Sequence, residues 1–425
     1  MSSLIIQGGR PIQGVFEPSG NKNGALPMIA ASLLTDEPVV LHNVPAILDV
    51  EVMLDLVGGL GVTVERTGRT VRLCSASLNS REPDANRCRR VRASILLSGP
   101  LAARHGSARL PPPGGDGIGR RRLDPHLYGL RALGIEIDAG ESLTFSRGRL
   151  RGTDILLDEA SVTATENVLM AATLAEGRTT LFPAACEPHV SDLSEMLLKR
   201  GARIEGHGTN RIEVYGVNRL QGVEHRVAPD YIETGSFLAA AAITGGELTI
   251  RHPKDSQAIR VLARGFGRMG LHWRAGGESF TLNAGQDLQV QQDLGFSIPT
   301  VESGIWPAFP SDMMSVAVVV ATQARGSILF FEKLFESRMY FVDRLLEMGA
   351  QIIQCDPHRV VVQGKSQLQA THMSSPDIRA GMAMVVAALC AEGESRIDQA
   401  QMIDRGYESV DERLRRLGAS VERRP

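Results

Sequence analysis

The chain has 425 residues, with 46 Lys plus Arg against 48 Asp plus Glu and a formal net charge of −2. This balance excludes a uniformly basic nucleic-acid coat, and a content of 43% hydrophobic and 22% charged residues excludes intrinsic disorder. The longest apolar run, residues 382–391, falls short of the ~18 residues of a membrane span. Residues 1–14 lack a basic-then-apolar signal pattern, so a cytoplasmic protein of two to three domains is expected.

Along the chain, residues 25–34, 94–103, 168–175, 237–244, 313–322 and 382–391 are apolar nearly all round a helical wheel, which predicts six buried helices. Gly106, Gly177, Gly246, Gly326 and Gly393 close the last five and open strand-like runs. A second series runs in register with them: Leu60-Gly61, Leu133-Gly134, Arg200-Gly201, Met269-Gly270, Met348-Gly349 and Leu417-Gly418, 67 to 79 residues apart. Several of these follow amphipathic spacing, such as Leu193, Met196 and Leu197, and several precede alternation, such as Val62-Thr63-Val64. Helix, glycine C-cap, strand is the physical reading. The chain thus reads as α/β, six copies of a unit of about 70 residues, in two domains of three units.

The buried helices begin on polar residues: Asn21-Lys22-Asn23, Arg92, Thr165-Glu166-Asn167, Glu233-Thr234, Ser311-Asp312 and Asp377-Ile378-Arg379. Helix N-termini carry orphan N–H groups and the positive end of the macrodipole, so several in one cleft would bind anions. Capping accounts for Thr165, Ser311, Asp312 or Asp377 taken singly. It does not account for Lys22, Arg92 or Arg379, where a cation opposes the dipole and an anionic ligand would reconcile the two. Residues 111–122 combine prolines, glycines and three closing arginines and predict a mobile loop, in which Asp116 is either a turn residue or a functional acid. Arg338 and Arg405, in strand-to-helix connections, fit either ion pairs or ligand contacts. Cys74, Cys88, Cys186, Cys355 and Cys390 show no CxxC spacing, which predicts reduced thiols and no zinc site.

Ten segments in order make the chain similar to the enolpyruvyl transferases over essentially its whole length. They are Ser19-Gly20-Asn21-Lys22-Asn23, Arg92-Ala93-Ser94, Pro113-Gly114-Gly115-Asp116-Gly117-Ile118-Gly119, Ser161-Val162, Glu187-Pro188, Ile232-Glu233-Thr234-Gly235, Pro307-Ala308-Phe309-Pro310-Ser311-Asp312, Phe335-Glu336-Ser337-Arg338, Asp377-Ile378-Arg379-Ala380 and Ile403-Asp404-Arg405-Gly406-Tyr407. The resemblance implies a two-domain inside-out α/β barrel of six βαβαββ repeats. Residues 22–229 would form the domain carrying the loop, and residues 1–21 with 230–425 the other, with substrates in the cleft between them.

The implied reaction moves the enolpyruvyl group of phosphoenolpyruvate to the 3-hydroxyl of UDP-N-acetylglucosamine and releases phosphate, the first committed step of peptidoglycan precursor synthesis. It requires cations for the donor, a base for the hydroxyl and a proton source for the methylene carbon. By match, Lys22, Arg92, Arg121 and Arg405 hold phosphoenolpyruvate, Arg338 and Arg379 complete the cationic cluster, Asp312 is the base, Asn23 orients the sugar and Asp116 is the loop acid. Arg121, Arg122, Leu123, Asp124, Ser161, Val162, Thr163, Asp312 and Leu334 match positions that bind the uridine nucleotide sugar. No cofactor, metal, nucleic-acid or membrane partner is implied. Asp116 stands where many members carry the cysteine that fosfomycin alkylates, which implies insensitivity to that epoxide. Four positions depart from residues found in the family: Arg122 where a proline is usual, Thr163 where a glycine is usual, Glu159 where some members have lysine and Tyr231 where an arginine commonly follows the aspartate. All four fall on the nucleotide side, and they leave open a paralogue using another nucleotide such as UMP, or a non-catalytic regulatory relative.

Overall fold

A computed structural model describes residues 2–115, 117–251 and 257–425. The chain divides into two compact units, one of Gly20–Asp116 and Arg121–Pro229, the other of Met1–Ser19, Gly117–Arg120 and Asp230–Pro425.

One repeat shows the local logic. Strand Asp154–Leu156 leads into helix Val162–Ala172, strand Arg178–Phe182, helix Pro188–Lys199 and the hairpin Arg203–Glu205 with Ile212–Tyr215. The first two strands pair in parallel, Thr180 opposite Asp154, which a buried crossover helix permits. The rest of the sheet is antiparallel, Thr179 opposite Val214. Helix Pro188–Lys199 is amphipathic, burying His189, Val190, Leu193, Met196 and Leu197 on one face.

The same βαβαββ order recurs. Thr300–Glu302, Gly326–Phe331, Ile352–Gln354 and Arg359–Gly364 form another such sheet, around helix Ser311–Gln323. In the repeat around helix Ile378–Cys390 the last strand is supplied by Ser3–Gln7, paired with Glu394–Asp398 and Ser420–Arg424. The repeat after Arg92 has a three-stranded sheet, Ser107–Leu110, Ile135–Ala139 and Leu143–Arg147, and starts on a 3-10 turn, Arg92–Leu97, that passes into helix Ser98–His105.

The buried helices are enclosed on every side. In the unit ending at Pro425, helices Tyr231–Ile243, Ser311–Gln323 and Ile378–Cys390 contact one another pairwise. The closing glycines Gly61, Gly134, Gly201, Gly270, Gly349 and Gly418 all lie in the left-handed region, with φ between 78 and 96°. Gly246 departs from its series: the left-handed residue is Gly245. Gly246 is required instead because a Cβ there would stand 1.8 Å from the Ile12 carbonyl oxygen.

Two helix starts lie further upstream than the apolar runs suggest. Helix Val162–Ala172 places Thr165, Glu166 and Asn167 inside rather than at its head, and Glu233 is the third residue of helix Tyr231–Ile243. Glu233 is buried. It accepts from the Ser19 amide at 2.6 Å and from Arg413, whose guanidinium lies 4.3 Å over the Phe16 ring. Burial pushes the Glu233 carboxyl from 4.5 up to about 7, against the Arg413 charge and with help from Asp230. A carboxyl raised on folding adds stability that is whole below its unfolded value and is lost as pH rises through its folded one. Stability is therefore expected to fall by about 3 kcal/mol between pH 4.5 and 7 from this group. Glu233→Gln should flatten that slope in denaturant titrations across the same range.

Candidate active site

In the Gly20–Asp116 and Arg121–Pro229 unit, Asn21 caps helix Lys22–Ala31 by accepting from the Gly24 amide at 3.0 Å. Lys22, the first helical residue, is buried, and its Nζ lies 2.7 Å from Asp49 Oδ2. Asp49 stands in the first turn of helix Leu48–Gly59, where an acid complements the dipole. Asn23 follows, half-buried.

Arg92 opens its 3-10 turn and donates from Nη2 to the carbonyls of Arg121 at 2.6 Å and Arg122 at 3.2 Å. Burial, and secondly the Arg121 charge, push its guanidinium down to about 10. An anion placed beside Arg92 and Arg121 would favour the charged guanidinium and oppose that shift. Gly115 lets the loop pass close, since a Cβ there would lie 2.9 Å from Arg92 Cβ. Asp116 lies outside the described residues.

Arg122 bridges Asp124, at 3.3 Å, and Asp158, at 3.1 Å. Leu123 and Asp124 lead into helix Asp124–Ala132. Ser161, Val162 and Thr163 are half-buried at the head of helix Val162–Ala172, and Glu159 is exposed. The Thr163 hydroxyl lies 3.0 Å from His126 Nε2. His126 is buried and pushed down to about 3 by burial, then by Arg92 and Arg121, so it is neutral. Its Nδ1 faces the Asn167 amide nitrogen at 3.2 Å, which assigns the ring proton to Nε2 and makes Thr163 its acceptor. The departure at Thr163 thus has a partner within the fold.

In the other unit, Asp312 is the second residue of helix Ser311–Gln323. Its carboxylate takes Arg338 Nη2 at 2.9 Å on one oxygen and Arg379 Nη2 at 3.0 Å on the other. Both arginines are buried, whereas the Asp312 side chain keeps 28% of its surface. Burial alone would lower the Arg379 guanidinium, but Asp312 and then Tyr407 and Asp230 outweigh it and the net shift is upward. Ser311 donates to Glu332 Oε2 at 2.8 Å, and Glu332 Oε1 accepts from the Leu334 amide at 2.8 Å, fixing the exposed Leu334 segment to this helix head. Arg405 ends the 3-10 turn Ala400–Arg405, half-buried, beside Asp404, which Arg423 grips through two bonds of 2.8 Å. The loop stretch Gly117–Arg120 is tied down in this unit. Ser337 N donates to the Ile118 carbonyl at 3.2 Å and Arg120 N to Glu336 Oε1 at 2.9 Å.

Of the four candidate caps only Asp377 caps, accepting from the Arg379 and Ala380 amides. Asp312 is engaged by arginines, Ser311 by Glu332, and Thr165, inside its helix, accepts from the Ala185 amide beyond the following strand. Two of the three unexplained helix-head cations are neutralised internally, Lys22 by Asp49 and Arg379 by Asp312. Asp49, His126 and Glu332 carry these arrangements and had no motif to point to them, whereas Asn167 lay in a polar segment already singled out but with its partner His126 unmarked.

The model of the EPSP synthase (3-phosphoshikimate 1-carboxyvinyltransferase) family matches residues 6–414. The chain belongs to this family of enolpyruvyl transferases. It is 50% identical over 422 residues to the UDP-N-acetylglucosamine 1-carboxyvinyltransferase of Bradyrhizobium diazoefficiens, covering 99% of this chain and 98% of that one. It is 49% identical over 425 residues to the protein of that name from Treponema denticola, covering 99% of each. The enolpyruvyl transferase fold is shared with NikO from Streptomyces tendae, with a TM-score of 0.87 at 23% identity over 99% of this chain and 98% of that one. EPSP synthase from Acinetobacter baumannii aligns with a TM-score of 0.75 at 19% identity over the whole of both chains. Among the described residues of this enolpyruvyl transferase no group of His, Cys, Asp and Glu could hold a metal ion. No described helix is long and apolar enough to cross a membrane.

Proposed function

We propose that the chain transfers the enolpyruvyl group of phosphoenolpyruvate to the 3-hydroxyl of UDP-N-acetylglucosamine and releases phosphate. The observation that carries this reading is the half-open Asp312 carboxylate gripped by two buried arginines, in a chain half identical, end to end, to enzymes named for that reaction. The sugar hydroxyl adds to the vinyl carbon as its proton passes to Asp312 and the methylene carbon gains a proton. Loss of a proton from the resulting methyl group and of phosphate from the same adduct restores the double bond. Lys22, Arg92, Arg121 and Arg405 hold the donor, with Arg338 and Arg379. Asn23, the Arg121–Asp124 stretch with Arg122 and Leu123, Ser161, Val162, Thr163 and Leu334 hold the nucleotide sugar. A carboxylate locked to two guanidiniums is a weak base; an anionic donor that draws on the same arginines would raise its basicity when the base is needed. In a peptidoglycan-building cell this is the committed cytoplasmic step.

A second reading, transfer to another nucleotide such as UMP, is favoured by Arg122 being already held between Asp124 and Asp158. Phosphate release from phosphoenolpyruvate with a panel of acceptors separates the two. Release with UDP-N-acetylglucosamine supports the first, and release only with a different nucleotide supports the second.

Asp116 serves as the loop acid in this reading. A carboxylate is a far weaker nucleophile toward an epoxide than a thiolate, so the wild type is expected to resist fosfomycin. Asp116→Cys is expected to keep turnover and to gain time-dependent inactivation with an adduct on the new thiol, read by residual activity and mass spectrometry. A folded but inactive variant would remove the loop-acid role.

A further inference from the structure

In the unit ending at Pro425, a groove of about 640 Å³ runs between helix Gln257–Gly267 and the edge strand Thr300–Glu302. Its helical wall carries Arg260 and Arg264, and Arg268 follows just past the helix end, so the three are spaced four residues apart and share one side. Arg268 is neutralised by Asp293 at 2.9 Å and the wall carboxylate Glu302 by Lys333. Among the described residues no carboxylate pairs with Arg260 or Arg264, so the groove presents two uncompensated guanidiniums.

The floor is apolar and preformed. The Phe309 ring packs edge-on to Phe266 at 6.0 Å and lies so close to the helix that a Cβ on Gly265 would stand 2.3 Å from it. The segment that runs from Asp293, the partner of Arg268, to the wall residue Thr300 carries Leu294 wholly exposed, Phe296 85% exposed and Ile298 58% exposed, and Ile305 is 55% exposed just before the wall residue Pro307. Single exposed apolar residues are ordinary, but three alternating in one segment beside an apolar groove mark a contact surface.

We propose that this groove docks an acidic helical segment of a partner protein, with carboxylates four residues apart on Arg260 and Arg264 and an apolar anchor over Phe309 and the exposed Leu294–Phe296 stretch. Concavity favours a side-chain anchor over a flat lipid surface, and the charge pattern sets the register of the helix. None of these residues belongs to the transferase site, so the proposal stands apart from that reading.

The test is a displayed library of short random peptides selected in parallel on the full chain and on its Arg260→Glu/Arg264→Glu variant. Peptides enriched on the wild type should be acidic with Leu, Phe or Trp anchors. They should lose about tenfold or more in affinity on the double variant and on Leu294→Ser/Phe296→Ser, with phosphate-release rates unchanged. Selection on the double variant should enrich basic peptides instead. No enrichment, or enriched peptides without charge bias that bind all forms alike, would overturn the proposal. So would loss, in the same variants, of co-sedimentation with phosphatidylglycerol vesicles without any peptide binding, which would assign the face to a membrane.

Discussion

Asp312→Asn is expected to lower kcat by about 10²- to 10⁴-fold while leaving the apparent affinity for phosphoenolpyruvate undiminished. The substitution keeps the shape and a hydrogen-bond acceptor but removes the charge between Arg338 and Arg379, 2.9 and 3.0 Å away. In a purely structural role the carboxylate would hold the arginines, and its loss would weaken donor binding and raise KM. As base, its loss removes the proton acceptor yet leaves two guanidiniums freer to meet the donor, so kcat collapses alone. Breaking a fully buried pair costs about 3–5 kcal/mol, but the exposed part of Asp312 brings the expected loss of stability below that range. Steady-state kinetics with both substrates varied and a denaturant titration read the two effects separately. An Asp312→Asn enzyme within tenfold of wild-type kcat would remove the base assignment.

Lys22→Met is expected to abolish turnover, by at least about 10³-fold, and to destabilise its unit by about 3–5 kcal/mol. Both effects arise because Lys22 does two things at one helix head. It neutralises Asp49 at 2.7 Å, both groups being buried, and it is proposed to meet the anionic donor. The double variant Lys22→Met/Asp49→Asn separates them, since removing both charges leaves no buried uncompensated ion. Stability should return to within about 1 kcal/mol of wild type while turnover stays lost. If the double variant regained activity with stability, Lys22 would be a structural residue only.

The periodic part of the fold was legible because it is written in local chemistry. A buried helix needs an apolar run, an amphipathic helix a 3.6-residue stripe, and a sharp exit a left-handed glycine, and each of these repeats along the chain. Where several local solutions exist the pattern misleads. The polar head of helix Val162–Ala172 hides its start, and the left-handed turn falls on Gly245 rather than Gly246. Long-range pairings carry no local signal at all. With 48 acids in the chain, nothing nearby marks Asp49 as the partner of Lys22 or Glu332 as the tie between Ser311 and Leu334. Thr163, conspicuous as a departure, becomes intelligible once His126, 37 residues earlier, is seen to need its hydroxyl.

The most direct measurement follows phosphate and nucleotide product together in D2O, with phosphoenolpyruvate and UDP-N-acetylglucosamine as the only substrates. One phosphate should appear for each carboxyvinyl ether formed at the sugar, with deuterium in its methylene group, because a methyl intermediate takes a solvent proton before elimination. Phosphate without the ether, or the ether without deuterium, would contradict addition and elimination at this chain's cationic and acidic residues.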